Sequence, residues 1–241
     1  RVPIWAEASR REVSYALCND RRTLLWFANQ RALEYHVTLF RVDRWDQPDY
    51  LVLDLDPPEG AAFAVVVQAA HLIRRALTEA GMAGAVKTSG AKGLHVFVPL
   101  AAGSSPEDVA AATRAVAVRA ERIDPDLATT AFVKDEREGK VFLDSTRAGG
   151  ATVVSAYSPR IRPGVSVSFP VSWDDIDEVA PADFTIHNAA GLLDGADPWA
   201  DQMPPAPPLD ADLVAEGHTV PVARVQAMHE GKRRARSRDK S

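Results

Sequence analysis

The sequence predicts an α+β fold with mixed or antiparallel β-sheets flanked by helices. Three observations carry that expectation. Strand-like and helix-like segments alternate along the 241 residues. Several strand-like segments are separated by turns too short for a crossover helix, which favours antiparallel pairing over a purely parallel sheet. The helical segments gather their apolar residues on one side, so each needs a covering layer. The length suits one large or two small domains with a real core.

Residues 21–35 (RRTLLWFANQRALEY) read as an amphipathic helix, with Leu24, Leu25, Phe27, Ala28 and Ala32 on its apolar face. Residues 50–56 (YLVLDLD) read as a strand. Its two-residue period sends Leu51, Leu53 and Leu55 one way and Val52, Asp54 and Asp56 the other. Pro57 and Pro58 end it, because proline cannot donate to a ladder. A helix follows over 61–80, stopped by Gly81. Two strands then flank the turn S-G-A-K-G within KTSGAKGLHVFVPL, residues 87–100. Ser105-Pro106-Glu107-Asp108 combines a capping hydroxyl, a first-position proline and first-turn acids, and starts a helix that Asp124-Pro125 closes. Residues 140–145, 151–157 and 165–171 read as strands, and 174–190 mix short helix and strand signals. A proline-rich connector (203–208) leads to a short helix near 210–216. No internal repeat is visible.

Hydrophobic and charged shares of 46% and 25% are those of an ordinary globular protein. No apolar run is long enough to span a bilayer and no signal peptide is visible, so no membrane role is expected. Cys18 stands alone, which excludes an internal disulfide or a cysteine-built zinc site and suits a reducing cytoplasm. The net charge of −5 argues against a protein that coats nucleic acid. The charge is uneven, however. Residues 145–173 hold no acid but include Arg147, Arg160 and Arg162, and the tail HEGKRRARSRDKS is strongly basic. A local positive surface can bind phosphates under a negative total. The tail by itself reads as a solvated end.

Asp54 and Asp56 project from one face of their strand. Two adjacent carboxylates repel unless a counter-charge joins them, and Mg²⁺ or Mn²⁺ favours such oxygens. The competing reading of the D-x-D pair is a solvent-facing strand edge. Asp144 ends a second apolar run, VFLD, and is a third carboxylate in the same context. Two-metal nucleotidyl transfer uses several carboxylates to fix two ions about 4 Å apart. In the turn, Gly90 and Gly93 permit a tight backbone that can present N–H groups to an anion. Ser89 offers a hydroxyl, Lys92 an ammonium and His95 a ring donor. The spacing is not that of a P-loop, and a plain β-turn with an exposed lysine fits it as well. Arg147, Arg160 and Arg162 can bind phosphate bidentately. His36 stands at the expected end of the first helix, while His71, His187, His218 and His229 read as structural or merely exposed.

ANQRALEYH, LVLDLDPPEG, KTSGAKGLHVFVPL, VFLD and YSPRIRPGVSVSFPVSW follow one another in this order. As an ordered set they resemble the polymerase domain of the bacterial ligase D type, used in non-homologous end joining, within the archaeo-eukaryotic primase superfamily. The resemblance covers roughly residues 10–200. It implies a primase-type catalytic core over 1–200, preceded in the family by a further segment, with 201–241 as connector and basic tail. It implies a metal-dependent nucleotidyltransferase that adds nucleoside triphosphates, ribonucleotides preferred, to a DNA 3′ end, using two Mn²⁺ or Mg²⁺ ions. Asp54, Asp56 and Asp144 match the family's metal-binding acids, and Ser89, Lys92 and His95 its triphosphate loop. Arg160 matches a phosphate-contacting arginine and His36 an active-site histidine; Arg147 falls where members carry Gln or Arg, and Arg162 is a candidate DNA contact. Ser145 and Ala148 depart from the pattern, which has an aromatic and an Asn there. The implied partners are DNA ends or primer-templates, a separate ligase and an end-binding protein, at a bacterial nucleoid. Two other readings stay open: a non-catalytic DNA-end-binding module, and a D-x-D sugar-nucleotide transferase.

Overall fold

A computed structural model describes residues 1–6, 10–149 and 151–222. The chain opens with an antiparallel hairpin, β1 (Val2–Ala6) and β2 (Arg11–Tyr15), then helix α1 (Arg21–Asn29). Three short strands follow: β3 (His36–Val37), β4 (Phe40–Arg41) and β5 (Arg44–Pro48). The central segment runs β6 (Tyr50–Asp56), α2 (Phe63–Glu79), β7 (Ala85–Thr88), β8 (Leu94–Pro99) and α3 (Pro106–Ile123). After it come β9 (Ala128–Thr129), β10 (Val141–Asp144), β11 (Val153–Val154) and β12 (Pro170–Val171). Helices α4 (Ala189–Leu193), α5 (Pro198–Gln202) and α6 (Ala211–Thr219) complete the described chain.

Six strands form the central sheet in the order β12-β7-β8-β6-β10-β9. Every neighbouring pair is antiparallel except β10 with β9. The mixed, mainly antiparallel α+β architecture is therefore the one expected. Helices α2 and α3 cover one face, and Leu51, Leu53, Leu55, Leu94, Val96 and Val98 are buried in the cluster they share with those helices. Fully burying a leucine contributes about 1.5–3 kcal/mol, so this face supplies most of the cohesion. Ser105 caps α3 as the sequence predicts, its hydroxyl accepting from the Asp108 N–H at 3.1 Å. Helix α6 lies close against α3. A Cβ on Gly217 would stand 1.9 Å from the Ala111 carbonyl oxygen, so only glycine permits the approach. Arg119 and Arg122 pair with Glu216 across the same contact. Part of the segment assigned to connector and tail is thus docked on the core, with Leu213 buried. The basic tail from His229 onward lies outside the described residues.

Several expectations need correction. The first helix ends at Asn29, not at residue 35. Arg31 takes a left-handed φ of 64°, its N–H donating to the Ala28 carbonyl and that of Ala32 to the Phe27 carbonyl. This pattern closes a helix, and the apolar periodicity beyond it is irrelevant once it forms. His36 consequently lies on β3, paired with Val154, rather than at a helix end. The strand expected over 151–157 shrinks to β11, and the chain turns away by Tyr157, which adopts a φ of 66°. The strand expected over 165–171 shrinks to β12. The N–H groups of Val167 and Ser168 donate to Phe184 and Ser158 instead of one continuous neighbour.

Candidate active site

The parity that sends the leucines of β6 into the helical core sends Asp54 and Asp56 to the opposite face. The pairing registers then assemble one row across four strands. Lys87 on β7 faces His95 on β8, His95 faces Asp54 on β6, and Asp54 faces Asp144 on β10. Beside the row, Val52 and Phe97 pack with Leu39 and Val153 as a second apolar cluster that Tyr50, Trp199 and Met203 flank.

The row is bonded end to end. Lys87 Nζ donates to Ser168 Oγ at 2.6 Å and lies 2.9 Å from His95 Nδ1. His95 Nε2 is 3.2 Å from Asp54 Oδ1. Asp54 Oδ2 accepts from Arg147 Nη2 at 2.6 Å, and the same nitrogen lies 3.1 Å from Asp144 Oδ2. Asp144 Oδ1 accepts from the backbone and hydroxyl of Thr146 at 2.8 and 2.6 Å. Burial would raise the Asp54 carboxyl, but His95 and Arg147 outweigh it and hold it down at about 2. Asp56 behaves oppositely. Desolvation, then repulsion from Asp54 and Asp144, pushes it up to about 6. Burial lowers Lys87 to about 7 and His95 to about 4, so the imidazole is neutral near pH 7.

Three acids on one face with one of them forced upward form a group short of positive charge. Their oxygen chemistry fits a hard divalent cation. As the side chains stand, no group of three or more His, Cys, Asp or Glu converges on one metal position among the described residues. Arg147 spans Asp54 and Asp144 instead.

The turn between β7 and β8 is organised from within. Ser89 Oγ accepts from the Ala91 and Gly93 N–H groups at 3.1 and 3.2 Å. The Gly93 N–H, expected to face an anion, is therefore already engaged. Gly93 has a steric job: a Cβ there would stand 2.1 Å from the Leu55 carbonyl oxygen. Gly90 holds a φ of 66°, and a Cβ added there would stand 2.7 Å from Arg160 Cγ. Arg160 Nη1 donates to the Ser89 carbonyl at 2.6 Å, locking the arginine segment to the turn. The Nε atoms of Arg147 and Arg160 are buried without a hydrogen bond, as is that of Arg114 on α3, but Arg160 Nε lies 3.5 Å from the Glu34 carboxylate in an ion pair. Lys92 is exposed and lines a cavity of about 380 Å³ with Asp56, Lys134, Arg137 and Lys140. Arg162 is exposed beyond this group, and His36, also exposed, lies 3.5 Å from Glu34.

The structure thus brings together Asp54, Asp56, Asp144, Ser89, Gly90, Gly93, His95, Arg147 and Arg160, with Lys92 on the rim. Sequence reasoning missed Lys87, Lys134, Arg137 and Lys140. Lys87 was legible in principle: a hairpin centred on Ala91 places it opposite His95. Arg137 is fixed by its ring contact, 3.7 Å from the Phe142 centroid, and by donating to the Ala131 and Phe132 carbonyls. No sequence spacing announces those contacts.

Residues 1–199 match the family profile "LigD, primase-polymerase domain". The chain belongs to that family. It is 36% identical over 202 residues to the multifunctional non-homologous end joining protein LigD of Mycolicibacterium smegmatis, covering 83% of this chain and 26% of that protein. It is 35% identical over 175 residues to the bifunctional non-homologous end joining protein LigD of Bacillus subtilis, covering 71% of this chain and 28% of that protein. The chain therefore spans about a quarter of the length of these LigD relatives. A solved structure, the polymerase domain of Mycobacterium tuberculosis ligase D in complex with DNA, superposes with a TM-score of 0.73 at 29% identity. The match covers 81% of this chain and 71% of that one. The LigD family and the fold implied by the five ordered motifs are those found. Membership leaves no support for the sugar-nucleotide reading. Among the described residues no helix is long and apolar enough to cross a membrane.

Proposed function

We propose that this chain is a DNA-repair polymerase domain that adds nucleoside triphosphates, ribonucleotides preferred, to a DNA 3′ end. The observation that carries the reading is the group of three carboxylates on one sheet face with Arg147 set between two of them, its buried Nε left without a hydrogen-bond partner. Buried donors without partners are rare, and a polyphosphate supplies the acceptors they lack.

On this reading Asp54, Asp56 and Asp144 hold two divalent cations, Mn²⁺ or Mg²⁺. Bound there, the cations supply the missing positive charge and Lewis acidity at phosphorus. The chain's own groups do the positioning. Lys92, Arg160 and Arg147 offset the triphosphate charge. Ser89 shapes the turn beneath it, and Gly93 lets that turn sit on β6. Lys134, Arg137 and Lys140 extend the basic lining toward pyrophosphate or DNA backbone. Arg162 and His36 lie at the rim, within reach of a primer or template. DNA ends or primer-templates are the nucleic-acid partners, and a ligase and an end-binding protein in the bacterial nucleoid are the protein partners. The expected domain division is kept as catalytic residues 1–200 followed by connector and tail, with α6 docked on the core.

The test is primer extension with rNTPs and dNTPs in Mn²⁺ or Mg²⁺, for the wild type and the Asp54→Ala/Asp56→Ala double variant. Loss of incorporation with an unchanged circular-dichroism spectrum is expected. Undiminished incorporation by the double variant overturns the assignment. A second reading, a non-catalytic DNA-end-binding module, draws on one observation: the carboxylates are bridged by Arg147 rather than converged on one point. Titration of the wild type with Mn²⁺ and a nucleoside triphosphate separates the two, because a pure binder shows no metal-dependent nucleotide binding.

A further inference from the structure

Lys87 is the largest fully buried side chain of the described residues, at 0% exposure, yet no carboxylate pairs with it. Burying an ammonium without a counter-ion is costly, so its partners must justify it. They are Ser168 Oγ at 2.6 Å and His95 Nδ1 at 2.9 Å. The Ser168 hydroxyl donates its proton to the Thr88 carbonyl at 2.8 Å, so toward Lys87 it acts as an acceptor. The Phe97 ring, 5.6 Å from Nζ, adds a weak electrostatic contact.

An ammonium has three protons and no lone pair. It can only donate to Nδ1, and a neutral imidazole that accepts at Nδ1 carries its proton on Nε2. That proton faces Asp54 Oδ1 at 3.2 Å. The opposite arrangement, a neutral amine accepting from Nδ1–H, would aim the Nε2 lone pair at a carboxylate and lose the hydrogen bond. We propose that Lys87 is a positioning residue: its ammonium fixes His95 as the Nε2–H tautomer, and His95 in turn holds Asp54 with its second oxygen facing Arg147 and the carboxylate cluster. The catalytic part of this inference rests on the proposed nucleotidyl-transfer role; the tautomer part does not.

The tautomer is read directly by ¹⁵N NMR of the histidine side chains in the metal-free wild-type protein, with His95 assigned by its loss in His95→Gln. The expected pattern is a protonated Nε2 and an unprotonated Nδ1. A protonated Nδ1 overturns the proposal, whatever the polymerase activity. Lys87→Met keeps the bulk and removes the donor. If it folds, its His95 signal is expected to shift toward a mixture of tautomers. Its kcat for incorporation is expected to fall about 10–100-fold, the usual cost of losing a group that orients a ligand residue. The nucleotide KM is expected to move less than about threefold, because Lys87 does not touch phosphate. A Lys87→Met protein with the wild-type tautomer and wild-type kcat overturns it as well. If the wild type itself incorporates nothing, the polymerase reading fails while the tautomer still decides the role of Lys87. If Lys87→Met does not fold, the wild-type spectrum still decides.

Discussion

The two faces of the central sheet are built from the same strands and solve opposite problems. On β6, Leu51, Leu53 and Leu55 enter the cluster under α2 and α3, while Asp54 and Asp56 look away from it. On β8, Leu94, Val96 and Val98 face the helices, while His95 and Phe97 face the other side. The helical face is largely satisfied: apolar groups meet apolar groups, and the Arg114 Nε on α3 is the buried donor left without a hydrogen bond there among the described residues. The other face holds unresolved electrostatics. One carboxyl is forced up, one ammonium is forced down, and the Arg147 Nε is buried without a hydrogen-bond partner. The first face makes the fold. The second holds a charge imbalance that, on the proposed reading, a polyphosphate and cations would relieve.

Substitutions on each face should separate these roles. The largest loss of stability belongs to the helical face. Leu53→Ala is expected to cost about 2–5 kcal/mol in urea unfolding, since it leaves a cavity under α2 and α3. A cost near zero would mean that this face is not the main support. Next is the turn. Gly93→Ala forces a Cβ against the Leu55 carbonyl, and about 1–3 kcal/mol of destabilisation should accompany loss of incorporation. A stable, active Gly93→Ala protein would mean that the turn need not rest on β6.

Arg160→Ala belongs to the charged face. A charge-assisted hydrogen bond contributes about 1.5–3 kcal/mol, so the nucleotide KM is expected to rise at least about tenfold in steady-state kinetics. An unchanged KM would remove Arg160 from the phosphate site.

Much of this contrast was written in the two-residue period of the strands. That period separated Asp54 and Asp56 from the leucines, and the end of VFLD marked Asp144 in the same way. The turn at 89–93 was legible as a turn, but its internal wiring was not. Ser89 and Gly93 satisfy each other, a fact set by backbone torsions rather than composition. His36 was misplaced because apolar periodicity continues past the point where Arg31 turns left-handed. The hairpin β1–β2 went unseen, since β2 (REVSY) is short and largely exposed and shows no clean alternation. Arg137 was invisible because its position depends on Phe142 and on two carbonyls of a loop.

The smallest stability effect is the most informative, because its sign is opposite to that of the others. The Asp56 carboxyl is raised from 3.8 to about 6, so folding disfavours its ionised form. The resulting penalty is absent below about pH 4, grows as pH rises from about 4 to about 6, and is complete above that. Asp56 is exposed at the strand end, so solvent screening reduces the penalty to about 1 kcal/mol. Asp56→Asn removes it. Metal-free Asp56→Asn protein should therefore melt about 2–4 °C above wild type at pH 8 and together with it at pH 3.5. In the metal-free protein, affinity for Mn²⁺ should fall as pH drops through about 6, because the proton on Asp56 then competes with the cation.

The decisive measurement runs the pH 8 melt and Mn²⁺-dependent rNTP incorporation side by side on wild type and Asp56→Asn. A variant that is slightly more stable and inactive is expected. A variant that incorporates at the wild-type rate would contradict this, because Asp56 would then be a surface carboxylate and not part of the catalytic group.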